Sequence, residues 1–219
     1  MGTNKPEPTN FGYWNAMLAD ASEAYRDFLE AEKEFVLQRV YGADILDFGC
    51  GDGRVLSYLS DYAQRRLYGV DSDPEAVFSA KEKFLHSPNV SILREDARQL
   101  PFMNGFFANV LCLNFAVNFG EHREIFYQEM KRVLHPAGDI LLSVFNEDAF
   151  DERMKLYKFA GAPIHHVEGT TVYFDYKEGL HPSEQFSKSQ LEGIFDENGL
   201  HPHKINKHGI EYLCDLKKK

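Results

Sequence analysis

Short apolar runs alternate with amphipathic stretches along most of this chain. The apolar runs lie at 44–48, 67–70, 90–93, 109–113 and 140–145, each bounded by polar or glycine-bearing segments. Runs of this length and setting predict strands. The run 109–113 is almost wholly apolar, the pattern of a strand buried on both faces. Between the runs, apolar residues recur near the helical period. Ala21, Tyr25, Phe28, Leu29, Phe35 and Val36 predict a helix within 15–40, and a second follows the first strand to about Tyr62. Asp73 as N-cap with Pro74 at the first helical position starts a third, striped by Val77, Ala80 and Phe84 and closed by Pro88. Ile125, Phe126, Met130, Val133 and Leu134 mark a fourth over 121–134, and Pro136-Ala137-Gly138 reads as a turn. Strands alternating with helices predict an α/β fold, a mostly parallel sheet covered on both faces.

Beyond residue 146 the rhythm changes. A helix is expected over 148–159, a turn at Gly161-Ala162-Pro163, and a β-branched and aromatic run at 170–174. Ser187 and Gln190 form a capping-box pattern, which opens a helix carrying Leu191, Ile194 and Phe195 and stopping at Asn198-Gly199. The segment 210–216 alternates as a strand does. With no repeat, low-complexity tract or linker, 1–219 reads as one domain. Its parts are an arm and helix (1–40), a core (41–146), an insert (147–185) and a closing helix and strand (186–219).

Chemistry concentrates at Asp47-Phe48-Gly49-Cys50-Gly51-Asp52-Gly53. A strand running through a glycine turn into a helix gathers backbone N–H groups and the positive end of a helix dipole. Asp47, Asp71, Asp96 and Asn114 each close a strand, and ligands of such sheets bind at the strands' carboxyl ends. A dinucleotide fingerprint G-x-G-x-x-G fits poorly, because Gly53 comes one residue early and Arg54 stands where glycine is wanted. The spacing acid-x-G-x-G-x-G is met in full.

The 219 residues carry a formal net charge of -10. Nucleic-acid binding draws its affinity from basic surface, and the one basic run here is Lys217-Lys218-Lys219, so nucleic acid is a disfavoured partner. Three scattered cysteines, Cys50, Cys112 and Cys214, do not form a disulfide framework and point to a reducing cytoplasm. No run approaches the roughly 20 apolar residues of a membrane helix, and the N-terminus lacks the apolar segment of a secretory signal. Among nine histidines, His165-His166 should point apart in a regular element, and His201 and His203 flank Pro202 in an expected loop. Neither pair has a further ligand at metal-site spacing, so no metal is expected.

Residues 45–54, the strand ending at Asp71, the Asp96-Ala97 pair and the segment 131–139 together resemble the class I S-adenosylmethionine-dependent methyltransferases, over about residues 40–146. Leu100-Pro101-Phe102 is written as in their small-molecule type. The resemblance implies a Rossmann-like three-layer αβα sandwich with a seven-stranded sheet, its last strand antiparallel, and the runs 170–175 and 210–216 as the final pair. It implies S-adenosylmethionine as cofactor and S-adenosylhomocysteine as product. Asp47, Gly49, Gly51 and Gly53 would hold the methionine end, with Phe48 and Cys50 in the same turn. Asp71, next to Ser72, would accept from the ribose hydroxyls, Asp96 with Ala97 would meet the adenine, and Asn114 and Phe115 would line the cleft beside the sulfonium. One departure is Phe107-Ala108-Asn109, where the family often has Phe-Asp.

The implied reaction is methyl transfer by in-line displacement to an O, N or C nucleophile. A base is needed only where the acceptor must lose a proton, and Tyr13, Asn118, His165 and His166 are the candidates, on the expectation that the arm and insert cover the acceptor cleft. Asn114-Phe115-Ala116-Val117 lacks the proline pair of amino-methylating nucleic-acid enzymes. A small-molecule acceptor is therefore expected, for a monomer or homodimer. The rivals are a nicotinamide-dinucleotide oxidoreductase and a non-catalytic methyltransferase-like binding subunit.

Overall fold

A computed structural model of the protein describes residue 12, residues 22–176 and residues 179–219. Tyr13, Trp14 and the arm over 1–10 lie outside the described residues.

Helix α1 (Glu23–Arg39) is followed by β1 (Asp44–Phe48), the short α2 (Arg54–Ser57) and β2 (Arg66–Asp71). Then come α3 (Pro74–Lys83), β3 (Val90–Arg94), β4 (Phe107–Leu113), α4 (Arg123–Val133) and β5 (Leu134–Phe145). The last part holds α5 (Phe150–Phe159), β6 (Ile164–Glu168), β7 (Thr171–Tyr176), β8 (Gly179–Ser183), α6 (Lys188–Glu197), β9 (Leu200–His208) and β10 (Glu211–Lys218). The main sheet has seven strands in the order β3-β2-β1-β4-β5-β10-β9. Its first five strands run parallel, and β10 is antiparallel to both β5 and β9. The order reverses between β1 and β4, so the crevice that such reversals create opens at the carboxyl end of β1.

Alternate strand residues feed two separate cores, as period-two side chains must. Ile45, Leu67, Leu111, Leu141 and Leu213 pack with Val36 of α1 and Leu56 of α2. Leu46, Val110, Leu142 and Cys214 pack on the other face with Met130 of α4 and Phe195 of α6. The sheet is therefore the middle layer of three. Local signals in the sequence set several helix ends. The Asp73 carboxylate accepts from the N–H groups of Glu75 and Ala76, and Ser187 and Gln190 close their reciprocal box.

Four expectations need correction. The run 170–175 is not part of the main sheet. It is β7, the middle of a separate antiparallel sheet β6-β7-β8, and the partner of β10 is β9. His201 and His203 accordingly lie in a strand rather than a loop. Helix α2 stops at Ser57, and the chain continues to Tyr62 through tighter i to i−3 bonds at Tyr58, Leu59 and Tyr62. Pro136-Ala137-Gly138 is a bulge within β5: Phe107 pairs with Leu134 while Asn109 pairs with Asp139.

One buried polar cluster ties the layers together. Glu32 of α1, fully buried, accepts from Arg54 Nη2 at 2.5 Å and from the Ser143 hydroxyl at 2.7 Å. Glu211 of β10 lies close enough for Glu32 and Arg54 to act on its ionisation, and both its oxygens lack a hydrogen-bond partner among the described residues. Burial first, and then Glu32, push its carboxyl up to about 10 against the opposing pull of Arg54. An acid whose pKa rises on folding loses stability as pH climbs from its unfolded value toward its folded one. Glu211→Gln should therefore stabilise the protein, by an increment absent near pH 4, growing upward and reaching about 1–3 kcal/mol at neutral pH. Urea titrations of both proteins across that range check it, and a pH-independent difference would refute it.

Candidate functional site

The carboxyl end of β1 carries the site. Asp47 is 2% exposed, held there because β1 is hydrogen-bonded on both sides, by β2 and β4. Its Oδ2 has no hydrogen-bond partner among the described residues. Burial is the main reason its carboxyl is pushed up to about 8; Arg54 opposes this, while Glu32, Asp71 and Asp52 add to it. The turn that follows puts Gly49, Gly51 and Gly53 at φ of 82°, 54° and 77°, the left-handed region that suits glycine. The Gly49 and Cys50 N–H groups donate to the Val70 carbonyl, at 2.9 and 3.0 Å. A Cβ on Gly49 would lie 2.4 Å from the Phe115 ring. Gly49→Ala combines that overlap with a positive φ. It should cost about 2–4 kcal/mol of unfolding free energy, measurable by denaturant titration.

Asp71, at the end of β2, is bound into this turn. Its Oδ2 accepts from the Gly51 N–H at 2.8 Å and its Oδ1 from the Asp73 N–H at 3.0 Å. Burial raises its pKa, and the backbone N–H groups of Asp73, Gly51 and Ser72 hold it down, leaving a net rise. Asp96 follows β3 and sits on the rim, where Arg98 grips it through Nε at 3.0 Å and Nη2 at 2.6 Å. That hydrogen bonding is the chief cause of its lowered pKa. Asn114, at the end of β4, has φ of 59°, a conformation Asn tolerates better than other side-chain-bearing residues. Its N–H donates to the Ser143 Oγ at 2.9 Å and so reaches the Glu32 cluster.

These strand ends open on one cavity of about 1040 Å³. Asp47, Gly49, Cys50, Gly51, Asp71, Ser72, Asp96, Ala97, Asn114, Phe115 and Asn118 all line it. Phe48 is different: its ring is fully buried and packs against Phe115, Phe119 and Phe126, with centroids 6.0–6.5 Å away. Gly53 turns toward the Phe84 ring, which a Cβ there would meet at 2.4 Å. The Cys50 thiol is pushed up, by burial and then by Asp47 and Asp71, so it is a filler rather than a thiolate.

His165 and His166 are not among the residues that line the cavity. They do not point apart either: their Nδ1 atoms lie 2.7 Å from each other, because a bulge interrupts β6 between Ile164 and His166. The His166 ring stacks on Tyr173 at 4.5 Å. Tyr13 lies outside the described residues. Among the described residues no three His, Cys, Asp or Glu side chains converge as a metal site, and no helix is long and apolar enough to cross a membrane.

The cavity also draws on residues that were not candidates for the site: Phe126, Tyr157, Tyr173, Tyr176, His181 and Ser183. The three-stranded sheet and α5 bring several of them in. The aromatic character of the run 170–174, which holds Tyr173, was visible, but nothing local showed which cleft that run faces.

A glycine turn between an orphaned buried acid and a second acid on the next strand, at the reversal point of such a sheet, defines a nucleoside-type binding fold. Comparison narrows this. Residues 45–138 match the methyltransferase-domain family, and this match with the relatives below supports a class I S-adenosylmethionine-dependent methyltransferase core. A probable S-adenosylmethionine-dependent methyltransferase of Mycolicibacterium smegmatis is 30% identical over 112 residues, 51% of this chain and 42% of that protein. A ubiquinone/menaquinone biosynthesis C-methyltransferase of Paraburkholderia xenovorans is 29% identical over 161 residues, 69% of this chain and 66% of that protein. The chain thus spans between two fifths and two thirds of these relatives' lengths. A solved Pyrococcus horikoshii structure shares the fold, with a TM-score of 0.70 at 21% identity, over 90% of this chain and 93% of that one.

Proposed function

We propose that the protein binds S-adenosylmethionine in this cavity and transfers its methyl group to a small-molecule acceptor. The observation that carries the reading is Asp47, a buried carboxyl with one oxygen unpartnered, beside a turn of three left-handed glycines. An orphaned buried acid is costly unless a ligand completes it, and a cationic amino group does so. S-adenosylmethionine, when bound, supplies an electrophilic methyl carbon with a neutral leaving group.

This chain's residues bind, orient and exclude water. Asp47 with Gly49 and Gly51 would take the methionine end, and Gly53 shapes the turn from behind. Asp71 and Ser72 would take the ribose; each Asp71 oxygen accepts one backbone N–H and retains a lone pair for a hydroxyl. Asp96 and Ala97 would meet the adenine at the rim. Asn114 and Phe115 would stand beside the reacting centre, with Phe119 and Phe126 behind them keeping it dry. The parts 1–40 and 147–185 would cover the acceptor side; the placement of Tyr157 and Tyr173 on the cavity wall supports this for the insert. Where the acceptor must lose a proton, Asn118 is the earlier candidate that lines the cavity. The three buried free cysteines fit a reducing cytoplasm.

S-adenosylhomocysteine at a hundredfold its Kd should raise the thermal midpoint, by an amount equivalent to about 2.7 kcal/mol, and NAD should not. The reverse outcome would assign the cavity to a dinucleotide.

A further inference from the structure

The cavity wall includes Phe145, Tyr157 and Ser183, each 4% exposed or less. Directly behind them lies Arg153 of α5, with 0% exposure. Its guanidinium sits over the Phe145 ring at 4.9 Å and the Tyr157 ring at 5.6 Å. Nε donates to the Tyr157 hydroxyl at 3.2 Å, and Nη1 donates to Gln185 Oε1 at 2.8 Å and to the Thr170 carbonyl at 3.3 Å. Nη2 donates to the Ser183 carbonyl at 2.6 Å and to its hydroxyl at 3.0 Å. A guanidinium has five N–H donors, so all are used, each on a neutral acceptor. Among the described residues no carboxylate comes within 4.0 Å of it. A buried cation without a counter-charge is costly.

Proton counting shows where the charge is directed. The Tyr157 and Ser183 hydroxyls both receive an N–H from Arg153 and lie 2.9 Å apart. One of their two protons fills the bond between them. The other has no acceptor among the described residues, and both Tyr157 and Ser183 line the cavity. The leftover donor is polarised by the arginine behind it.

We propose that Tyr157 and Ser183, backed by Arg153, form an oxyanion subsite that anchors a carboxylate or phenolate oxygen of the methyl acceptor. This deepens the methyltransferase reading and rests on it. The surroundings select for that charge at this end alone. Arg123, the nearby wall cation, is already matched by Glu184 at 2.7 Å, and the cavity residues assigned to the cofactor include the acids Asp47 and Asp71 rather than a free cation. The body of such a ligand is planar and apolar, because the wall between is aromatic: Phe119 and Phe126 stack at 4.2 Å, and Tyr173 and Tyr176 face the same space.

The test is a matched pair of probes, naphthalene-2-carboxylate and naphthalene-2-carboxamide, titrated by calorimetry into the full chain with and without S-adenosylhomocysteine. The carboxylate should bind at least about tenfold more tightly than the amide. Tyr157→Phe and Ser183→Ala should each narrow that ratio while S-adenosylhomocysteine still binds. Arg153→Lys, which keeps the charge, should retain part of it where Arg153→Gln retains none or fails to fold. Equal affinity of the two probes, binding of neither, or a ratio untouched by both hydroxyl variants overturns the proposal. Failure of S-adenosylhomocysteine to bind, with the carboxylate preference intact, instead overturns the methyltransferase reading and leaves the subsite standing.

Discussion

Glu32→Gln should cost about 3–5 kcal/mol of stability, the expected result of leaving a mostly buried arginine without its partner. Glu32 is 0% exposed and holds Arg54 at 2.5 Å; Arg54 also reaches the Tyr58 hydroxyl at 2.9 Å. Burial works against the Arg54 charge, and Glu32 and Tyr58 together overcome it, so the guanidinium is held above its usual pKa. The same glutamate accepts from Ser143, whose oxygen in turn receives the Asn114 N–H. One buried acid thus supports both lips of the cavity: the glycine turn through Arg54, and the left-handed Asn114 through Ser143. S-adenosylhomocysteine affinity should fall with stability.

Glu211 gives this prediction a second arm. Its raised pKa owes much to Glu32, and Arg54 pulls it the other way. With Glu32 neutralised, Glu211 ionises at lower pH and becomes a substitute partner for Arg54. The stability lost in Glu32→Gln should then shrink as pH rises, and Glu32→Gln combined with Glu211→Gln should lose more than the sum of the two single changes. Denaturant titrations at two pH values read both effects. A simple additive result would mean that Arg54 is satisfied without either acid.

The sheet's middle was legible because its signals are local. The strands 44–48, 67–70 and 109–113, the Asp73 cap and the Ser187 box each depend on neighbours within a few residues. The glycine spacing with Asp47 pointed to the site for the same reason. The edge was not legible. Strand β9, Leu200–His208, carries Pro202, three histidines and two lysines and has only one buried residue, as an edge strand with one hydrogen-bonding side free allows. The run 171–176 buries alternate residues more cleanly, so it looked like the better partner for β10. Side-chain pattern reports a half-buried face, not which sheet supplies it. The acceptor side was unreadable for a related reason: Arg153 finds its partners 4, 17, 30 and 32 residues away, on elements whose meeting is decided by tertiary packing alone.

Asp71→Ala should weaken S-adenosylhomocysteine binding at least about a hundredfold, since each hydrogen bond from a ligand hydroxyl to a carboxylate is worth about 1.5–3 kcal/mol. The carboxylate also carries the Gly51 and Asp73 N–H groups at 2.8 and 3.0 Å, so its loss loosens the glycine turn as well. Affinity alone cannot separate these two contributions. A ligand lacking the ribose 2′-hydroxyl does so. The unmodified protein should bind 2′-deoxy-S-adenosylhomocysteine about tenfold or more weakly than the parent compound. The Asp71→Ala protein, having no carboxylate to meet that hydroxyl, should bind the two alike. This is a double-mutant cycle with one change on the ligand. If the variant still discriminates between them, Asp71 acts only through the turn, and the ribose is held elsewhere. If the variant binds S-adenosylhomocysteine as tightly as the unmodified protein, the cofactor does not lie along the ends of β1 and β2 at all. Stability should change little, because burial already opposes the ionised form of Asp71 and its removal relieves that penalty while releasing two backbone donors at the mouth of the cavity.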